Sequence, residues 1–179
     1  MMRLPVLPLL LLLGTAAAAN SAPKYSHDAS FTPSYAANAS AVTGVSSCAV
    51  GTGADTHVYV GQRGKHAPPI LVLDGKTGKV VRGMGSGLVG NMHGLHMQSL
   101  PNGTQYLWMT DSAHSLVRKF NPATGKLLAT LGSKGTALKP AIEFGSVADI
   151  AFDTAGAIYI SDGDGGINSR IMKLDSGAP

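Results

Sequence analysis

The histidines of this chain are the side chains best suited to metal or proton chemistry, and two of them are close in sequence. His93 and His96 are separated by two residues. Successive side chains of a strand point to opposite faces, so this offset places the two imidazoles on different faces and disfavours a His-x-x-His chelate. Taken alone, His93 is expected to be a hydrogen-bonded structural histidine. Three further histidines fall in loops or at strand ends and are assigned no role: His57, His66 and His114.

Two acidic residues alternate with glycines in the segment 162–166. Calcium loops also place acidic residues at alternate positions, but they need a bidentate glutamate further on, and none follows at the required spacing. Because glycines permit positive φ angles, the pattern instead predicts a wide turn in which Asp164 makes local hydrogen bonds.

Arg63, within the loop sequence 62–66, offers a fixed cationic fork that suits a carboxylate or an oxyanion. Its plainer role is that of a loop arginine paired with a surface acid. The sequence leaves both roles open.

A threefold internal repeat determines how these side chains are positioned. Each repeat contains an apolar run, a strand with an aromatic residue, a third strand and a polar turn. The aromatic residues Tyr59, Trp108 and Tyr159 recur at a period of about 50 residues, which is typical of propeller blades built from short strands. The turns 74–79 and 121–126 begin with Asp or Asn and carry a glycine four residues later, where a positive φ angle is inexpensive.

The repeat predicts an all-β fold, a β-propeller of four-stranded blades, with blades at about 42–90, 91–140 and 141–179. A closed ring needs at least about four blades, because each blade buries its faces against two neighbours. We therefore expect the chain to be the first half of a longer propeller or a truncated product. The alternative is a half-ring that self-associates with another chain.

The first residues have the composition of a secretory leader. Arg3 precedes an apolar run from Leu4 to Leu13 and a stretch of small residues up to Ala19. The run is shorter than the roughly 20 residues of a spanning helix, which favours a cleaved signal peptide over residues 1–19 rather than an uncleaved anchor. A secreted or lumenal protein with no transmembrane segment is expected. Residues 20–41, rich in Ala, Ser and Pro, are predicted to be a linker or lead-in.

Secretion would give meaning to two glycosylation sequons, at Asn38 and Asn102. The single cysteine, Cys48, has no partner for an internal disulfide within this chain. Its position in an innermost strand predicts a small buried hydrophobe, with a partner in further sequence as the alternative. The net charge of +4 comes from scattered basic residues, so no nucleic-acid partner is expected.

Several segments of the second and third repeats resemble the NHL-repeat propellers. Within that group the chain is most similar to the peptidyl-α-hydroxyglycine α-amidating lyases, over about residues 43–175. The resemblance implies a ring of about six blades, of which about three are present. It also implies cleavage of a hydroxyglycine-extended peptide to an amidated peptide and glyoxylate, with zinc held by three histidines. The matching segments are Met92–Leu95, Tyr106–Asp111, Val117–Asn121, Asp149–Asp153, Gly156–Gly163 and Asn168–Ile171.

The resemblance also assigns roles to individual residues. His93 matches the first zinc ligand, whereas the other two ligands would belong to later blades. A catalytic zinc takes three protein ligands and keeps one position open. Arg63 matches the active-site arginine. The backbone carbonyls of Cys48 and Leu95 match ligands of a structural calcium ion.

One departure from the lyases changes the expected function. In the lyases a tyrosine, the proposed base, follows the Ser-Asp-Gly of the third blade, whereas here residues 164–167 lengthen the loop without a tyrosine. The disulfide-forming cysteines of the lyases are also missing. This loop is more similar to that of secreted NHL-repeat-containing proteins without a known reaction. We therefore expect a non-catalytic scaffold that binds a peptide or protein ligand. The alternatives are a zinc-dependent amidating lyase and a truncated product without an independent fold.

Overall fold

The computed structural model describes residues 25–35, 42–132, 143–165 and 168–175. Within these ranges the regular elements are antiparallel strands, which form three consecutive sheets and confirm the predicted all-β propeller fold. Sheet 1 contains β1 (Ser47–Val50), β2 (His57–Gly61), β3 (Ile70–Asp74) and β4 (Val80–Met84). Sheet 2 contains β5 (Met92–Ser99), β6 (Gln105–Asp111), β7 (Leu116–Phe120) and β8 (Leu127–Leu131). Sheet 3 contains β9 (Val147–Phe152), β10 (Ile158–Asp162) and β11 (Arg170–Leu174).

The strands of each sheet follow sequence order, so within a sheet every strand after the first pairs with the one before it. No helix in the described ranges has the length and apolar character needed to cross a bilayer. The predicted signal peptide at 1–19 and the sequon at Asn38 lie outside the described residues. Asn102 lies in the turn between β5 and β6 and is exposed.

The apolar core lies between the faces of successive sheets. Tyr59 and Ile70 of sheet 1 pack against Leu107 and Phe120 of sheet 2, and all four are fully buried. A second cluster joins sheets 2 and 3, and it includes Trp108, which is 1% exposed. Removing apolar surface from water stabilises a fold by about 25 cal/mol per Å². These junctions are therefore the main stabilising contacts. The predicted burial of Trp108 between blades is confirmed.

The outer face of sheet 1, opposite sheet 2, is covered by the lead-in. Phe31 and Tyr35 pack against Val60, Leu71 and Leu73. The Ser34 amide donates a hydrogen bond to the Gly78 carbonyl at 3.0 Å. This part of the predicted linker therefore docks on the first sheet.

Cys48 does not have the buried position predicted for it, because its side chain is exposed. The equivalent residues of the other innermost strands, Leu95 and Ile150, face the preceding sheet and are buried. Ala49 is the β1 residue that packs against sheet 2. Alternation turns Cys48 to the other face, where the described chain places no preceding sheet.

The two polar turns that end β3 and β7 have the same construction. The Asp74 carboxylate accepts a hydrogen bond from the Thr77 amide at 2.8 Å, and the Asn121 side chain accepts one from the Thr124 amide at 3.0 Å. Gly78 and Gly125, four residues after these side chains, have φ angles of 72° and 75°. Only glycine adopts this conformation without strain, which confirms the predicted Asx turns.

Candidate functional site

The residues predicted to do chemistry come together at one edge of the sheets. We call this the upper edge; it is where β1, β5 and β9 begin and where β2, β6 and β10 end. Arg63 follows β2 of sheet 1, His93 lies near the start of β5 in sheet 2, and Asp164 follows β10 of sheet 3. Three successive sheets therefore each contribute one polar side chain to the upper edge.

Buried carboxylates hold the chain where β5 and β9 begin. Asp111, at the end of β6, accepts hydrogen bonds from the amides of Gly90 and Asn91 at 2.8 and 2.9 Å. In sheet 3 the equivalent Asp162 accepts from the amides of Gly145 and Ser146 at 2.8 and 3.0 Å. These aspartates fix the entry of the innermost strands and hence the backbone beside the candidate site.

Asp162 also accepts hydrogen bonds from two side chains. Asn168 Nδ2 lies 2.7 Å and Arg170 Nε 3.0 Å from its Oδ2 atom. Burial opposes ionisation of this carboxyl group, but the hydrogen bonds from Ser146, Asn168, Arg170 and Gly145 prevail and hold its pKa below the usual value. The carboxylate is therefore charged at neutral pH, and it acts as a structural clamp with no free oxygen for chemistry.

Sheet 1 uses an amide in place of this aspartate. Gln62 is 1% exposed, and its Nε2 atom donates to the carbonyls of Ala67 and Pro68 at 3.0 and 2.9 Å. Its Oε1 atom accepts from the amides of Thr43 and Gly64. Gln62 thus shapes the loop that presents Arg63.

A β-bulge sets the orientation of His93. Met92 pairs with Asp111 and Leu95 with Met109, so one residue more lies on β5 than on β6 between these pairs. Bulges commonly re-aim a side chain beside a functional site. Here the bulge lies at His93 and Gly94.

Gly94 allows the bulge to pack closely against sheet 3. A Cβ atom at this position would lie 2.6 Å from Asp149 Oδ1 and 2.9 Å from Thr110 Oγ1, closer than real contacts allow. The Thr110 hydroxyl accepts a hydrogen bond from the Gly94 amide at 2.7 Å and donates one to the Ala148 carbonyl at 2.8 Å. Thr110 therefore links β5 to β9 directly beneath His93.

Both histidines of β5 reach carboxylates of sheet 3. His93 Nε2 lies 3.1 Å from Asp164 Oδ2, and His96 Nε2 contacts Asp149 Oδ1. The expectation that the two imidazoles point to opposite faces is wrong, because the bulge adds a residue between them. They nevertheless engage different carboxylates.

The loop that follows β10 folds back over the start of β9. The amides of Gly163 and Asp164 both donate to the Ser146 carbonyl, at 2.9 and 3.1 Å. The local hydrogen bonds that the sequence predicts for Asp164 are not found in the described chain; its amide instead bonds to Ser146, and its carboxylate reaches His93 on the neighbouring sheet. Sequence reasoning missed this contact, because it depends on how two sheets pack.

Arg63 is exposed, and it is anchored by a backbone atom rather than by an acid. Its Nε atom donates a hydrogen bond of 2.7 Å to the carbonyl of Met92, the residue before His93. Among the described residues no carboxylate lies within ion-pair distance of its guanidinium. The expected pairing with a surface acid is therefore not found in the described chain, and the terminal nitrogens remain available to an anion.

A cavity of about 510 Å³ opens beside Arg63. Its lining includes two further basic side chains, Lys65 and His66, and the backbone of Gly87 and Gly90. No acidic residue is among the described residues that line it. The cavity is thus suited to a negatively charged group.

The described residues do not complete the zinc site that the family resemblance implies. No group of three His, Cys, Asp or Glu side chains in the described ranges is placed to hold a metal. The positions equivalent to His93 in sheets 1 and 3 are Ser46 and Ala148. His93 with Asp164 falls short of the three protein ligands of a catalytic zinc.

The carbonyls matched to a calcium site have a suitable orientation. β1 and β5 each lie at the end of a sheet, so one side of each strand has no partner strand. Antiparallel pairs alternate between bonded and non-bonded positions, and this alternation turns the carbonyls of Cys48 and Leu95 away from their neighbouring strands. Two carbonyls are fewer than the six to eight oxygens that calcium takes. Two backbone hydrogen bonds show which strand positions are bonded: the Gly51 amide donates to the His57 carbonyl, and the Leu100 amide donates to the Thr104 carbonyl.

Comparison with known proteins supports the resemblance to NHL-repeat proteins. NHL repeat-containing protein 3 of Mus musculus is 34% identical over 143 residues, which cover 76% of this chain and 40% of the relative. The Homo sapiens protein of the same name is 35% identical over 138 residues, covering 74% of this chain and 39% of the relative. Peptidyl-alpha-hydroxyglycine alpha-amidating lyase 2 of Drosophila melanogaster is 36% identical over 110 residues, which cover 60% of this chain and 25% of the relative. The chain is a homologue of NHL-repeat proteins.

This NHL-repeat homologue spans less than half the length of the curated relatives that it matches. No family model matches the chain. A crystal structure of a protein of unknown function from Bacteroides caccae superposes with a TM-score of 0.44 and 18% sequence identity, covering 74% of this chain and 46% of that chain.

Proposed function

We propose that this chain forms part of a secreted, non-catalytic NHL-repeat propeller that binds a peptide or protein ligand at its upper edge. The contact between His93 Nε2 and Asp164 Oδ2, at 3.1 Å, carries the proposal. A histidine binds zinc through the lone pair of one ring nitrogen, and here Nε2 faces a carboxylate, which leaves Nδ1 as the nitrogen for a metal. Asp164 belongs to the loop in which the lyases carry the tyrosine proposed as their base. This chain therefore lacks that tyrosine and has a carboxylate at its candidate zinc ligand.

The ligand class follows from Arg63 and the cavity beside it. An arginine whose terminal nitrogens have no acidic partner in the described chain presents a fork for a carboxylate or phosphate group. Lys65 and His66 add basic character to the same cavity of about 510 Å³. An acidic side chain or free carboxyl end of a peptide or protein has the matching chemistry.

Secretion and glycosylation belong to the same proposal. The leader at 1–19 directs the chain into the secretory pathway, where Asn102 would be glycosylated. Asn102 is exposed in a turn, so a glycan there would extend into solvent without displacing a strand. The fraction of glycosylated protein in culture medium, measured by mass spectrometry before and after deglycosylation, tests both points.

An activity assay tests the non-catalytic role. The protein, recovered from the medium of expressing cells, is incubated with zinc and an α-hydroxyglycine-extended peptide, and glyoxylate is measured. We expect glyoxylate to be released no faster than in buffer without protein, with or without zinc. Glyoxylate release that disappears in His93→Ala would overturn the proposal.

A zinc-dependent amidating lyase is the second candidate, and one observation favours it. Arg63 donates a hydrogen bond to the carbonyl of Met92, the residue before His93, so the arginine and the histidine that the family resemblance assigns to the active site lie near each other at the upper edge. When bound, zinc would polarise a substrate oxygen and lower the pKa of a bound water. The described chain supplies one histidine for it, so zinc and calcium remain proposals for this protein. Loss of activity in both Arg63→Gln and His93→Ala, with unchanged unfolding midpoints, would support the lyase.

A further inference from the structure

A larger cavity lies at the opposite end of the strands. We call it the lower groove: a space of about 970 Å³ between sheets 1 and 2, at the edge where β1 and β5 end. Three connections form its walls, namely residues 51–56, 99–105 and 121–123. The volume is in the range of pockets that bind small molecules or peptide ends. The groove shares no lining residue with the cavity beside Arg63, so it is independent of the proposed function.

A connected group of polar side chains lies on one wall of the lower groove. The Asp55 carboxylate contacts His57 Nδ1 at 2.7 Å and accepts a hydrogen bond from the Tyr59 hydroxyl at 2.6 Å. Burial opposes ionisation of Asp55, but the hydrogen bonds from Tyr59 and His57 prevail and lower its pKa. Burial, together with the bond to Asp55, raises the pKa of the Tyr59 hydroxyl, which therefore stays protonated.

The charge on Asp55 fixes the orientation of the His57 imidazole. A carboxylate only accepts hydrogen bonds, so the proton of the neutral ring lies on Nδ1 and the lone pair on Nε2. His57 is 38% exposed at its side chain and lines the groove. Within the described residues no hydrogen-bond partner of Nε2 is found. His57 therefore offers an oriented acceptor to a ligand.

Arg82 places a cation beside this group. Its Nη2 atom donates to the Pro122 carbonyl, whose oxygen lies 3.4 Å from the Tyr59 hydroxyl. No carboxylate of the described chain lies within ion-pair distance of Arg82. Hydrogen bonds from Tyr59 and His57 satisfy the Asp55 carboxylate, and Arg82 is the one lysine or arginine among the described residues that line the groove. Its guanidinium is therefore the group that can pair with an anion.

The rest of the lining is apolar or already engaged. Val81 is 54% exposed although it is a large aliphatic side chain, and it lines the groove together with Leu100 and Pro101. The polar Thr52 hydroxyl contacts Gln105 Nε2 at 3.0 Å, which joins the two sheets at the wall. The groove is thus held open by contacts between the sheets, with an apolar side and one cationic corner.

We propose that the lower groove binds a carboxylate ligand with an apolar body. The carboxylate pairs with Arg82 and the apolar body covers Val81 and Leu100. In a peptide ligand, a backbone amide in addition donates to His57 Nε2. This arrangement satisfies every free polar group identified in the groove and buries its exposed aliphatic side chain. The ligand is either the carboxyl end of a hydrophobic peptide or a small aromatic or aliphatic acid.

Calorimetric titration of the full chain distinguishes these two sources. The probes are N-acetyl-Ala-Leu-Phe with a free carboxyl end, the same peptide amidated, and 4-phenylbutanoate. Saturable binding of the free-acid peptide, weakened at least about tenfold by amidation, is the expected result for a peptide end. Tighter binding of 4-phenylbutanoate than of the peptide would assign the groove to small acids. No saturable binding of either acid up to about 5 mM would overturn the proposal.

Variants show whether binding uses the groove. Arg82→Gln is expected to weaken binding about tenfold, and Arg82→Lys to weaken it less, because a lysine keeps the charge but loses the fork. Lys76→Gln, which removes a positive charge from an exposed turn outside the groove, is the matched control and leaves the affinity unchanged. Equal affinities of Arg82→Gln and Lys76→Gln would contradict the proposal.

A second variant covers the case in which Arg82→Gln does not fold. Val81→Asp places a negative charge on an exposed position of the groove wall and is expected to abolish binding of a carboxylate. The imidazole nitrogen resonances of His57 give an independent readout, since Nε2 shifts when a donor binds. Ligand binding by Val81→Asp at the wild-type affinity, with no shift at His57, would reject the groove as the site.

Discussion

At the scale of single residues, buried hydrogen-bonding side chains set the geometry of the upper edge. Asp162 is fully buried, and its carboxylate accepts four hydrogen bonds. Asp162→Asn replaces an acceptor oxygen with a donor that faces other donors, so we expect the free energy of unfolding to fall by about 1–3 kcal/mol. Urea unfolding at pH 7 measures the loss.

The pH dependence of this effect has a definite sign. Because the pKa of Asp162 is lower in the folded than in the unfolded protein, its contribution is present above the unfolded pKa and is lost as the pH falls through the folded pKa. The difference between wild type and Asp162→Asn should therefore narrow below about pH 4. Asp175→Asn, at an exposed position after β11, is the control and should behave as wild type. A difference that is constant from pH 7 to pH 3 would contradict this account.

Thr110 provides a second test at the residue scale. Its hydroxyl joins the Gly94 amide to the Ala148 carbonyl and thus links two sheets beneath His93. Thr110→Val keeps the shape but leaves both groups without this partner, which is expected to cost about 1–3 kcal/mol. Thr110→Ser restores the hydroxyl and should recover most of the loss. Equal unfolding midpoints for the two variants would show that the hydroxyl does not link the sheets.

At the scale of elements, the lead-in docks on the turn at 74–79 of sheet 1. The equivalent turn of sheet 2, at 121–126, has no such contact in the described chain. A Cβ atom on Gly78 would lie 2.7 Å from the Thr32 carbonyl oxygen, whereas one on Gly125 would meet Met84 Cβ at 3.3 Å. Both glycines have positive φ angles, so alanine at either costs about 1 kcal/mol of backbone strain. Gly78→Ala should in addition release the lead-in, and faster amide exchange at Ser34 would report this release. Unchanged exchange at Ser34 in Gly78→Ala would show that the lead-in is held by other contacts.

The elements themselves were predictable from the sequence, because alternation of apolar residues and Asx turns are local signals. β3 and β10 occupy the residues that the repeat indicates, and the turns have the predicted φ angles. The bulge at His93 was not predictable, because a one-residue shift between β5 and β6 leaves no mark in the local pattern. The pairing of His93 with Asp164 depends on packing between two sheets. The group of Asp55, His57 and Tyr59 is local in sequence, but the pattern alone assigned His57 no role. The roles of Arg63 and His93 were indicated only by family resemblance.

At the scale of the whole molecule, successive sheets pack face to face, and the outer faces differ in how they are covered. Phe31 and Tyr35 cover sheet 1, whereas Ile171 of β11 is 68% exposed. A single exposed aliphatic side chain is common on a protein surface, but a propeller sheet buries both of its faces only between two neighbours, so we expect reversible self-association of this chain with rising concentration. Light scattering after size exclusion measures the mass, and Ile171→Lys should shift the population toward monomer. A monomer at every concentration would contradict the prediction of a half-ring completed by another copy.

The central claim is that the upper edge of this NHL-repeat homologue binds a ligand and performs no zinc chemistry. Equilibrium dialysis of the gene product against micromolar zinc, followed by metal analysis, tests it most directly. With Asp164 on His93, the account predicts less than about 0.1 zinc per chain and no difference between wild type and His93→Ala. About one zinc per chain, lost in His93→Ala, would contradict it.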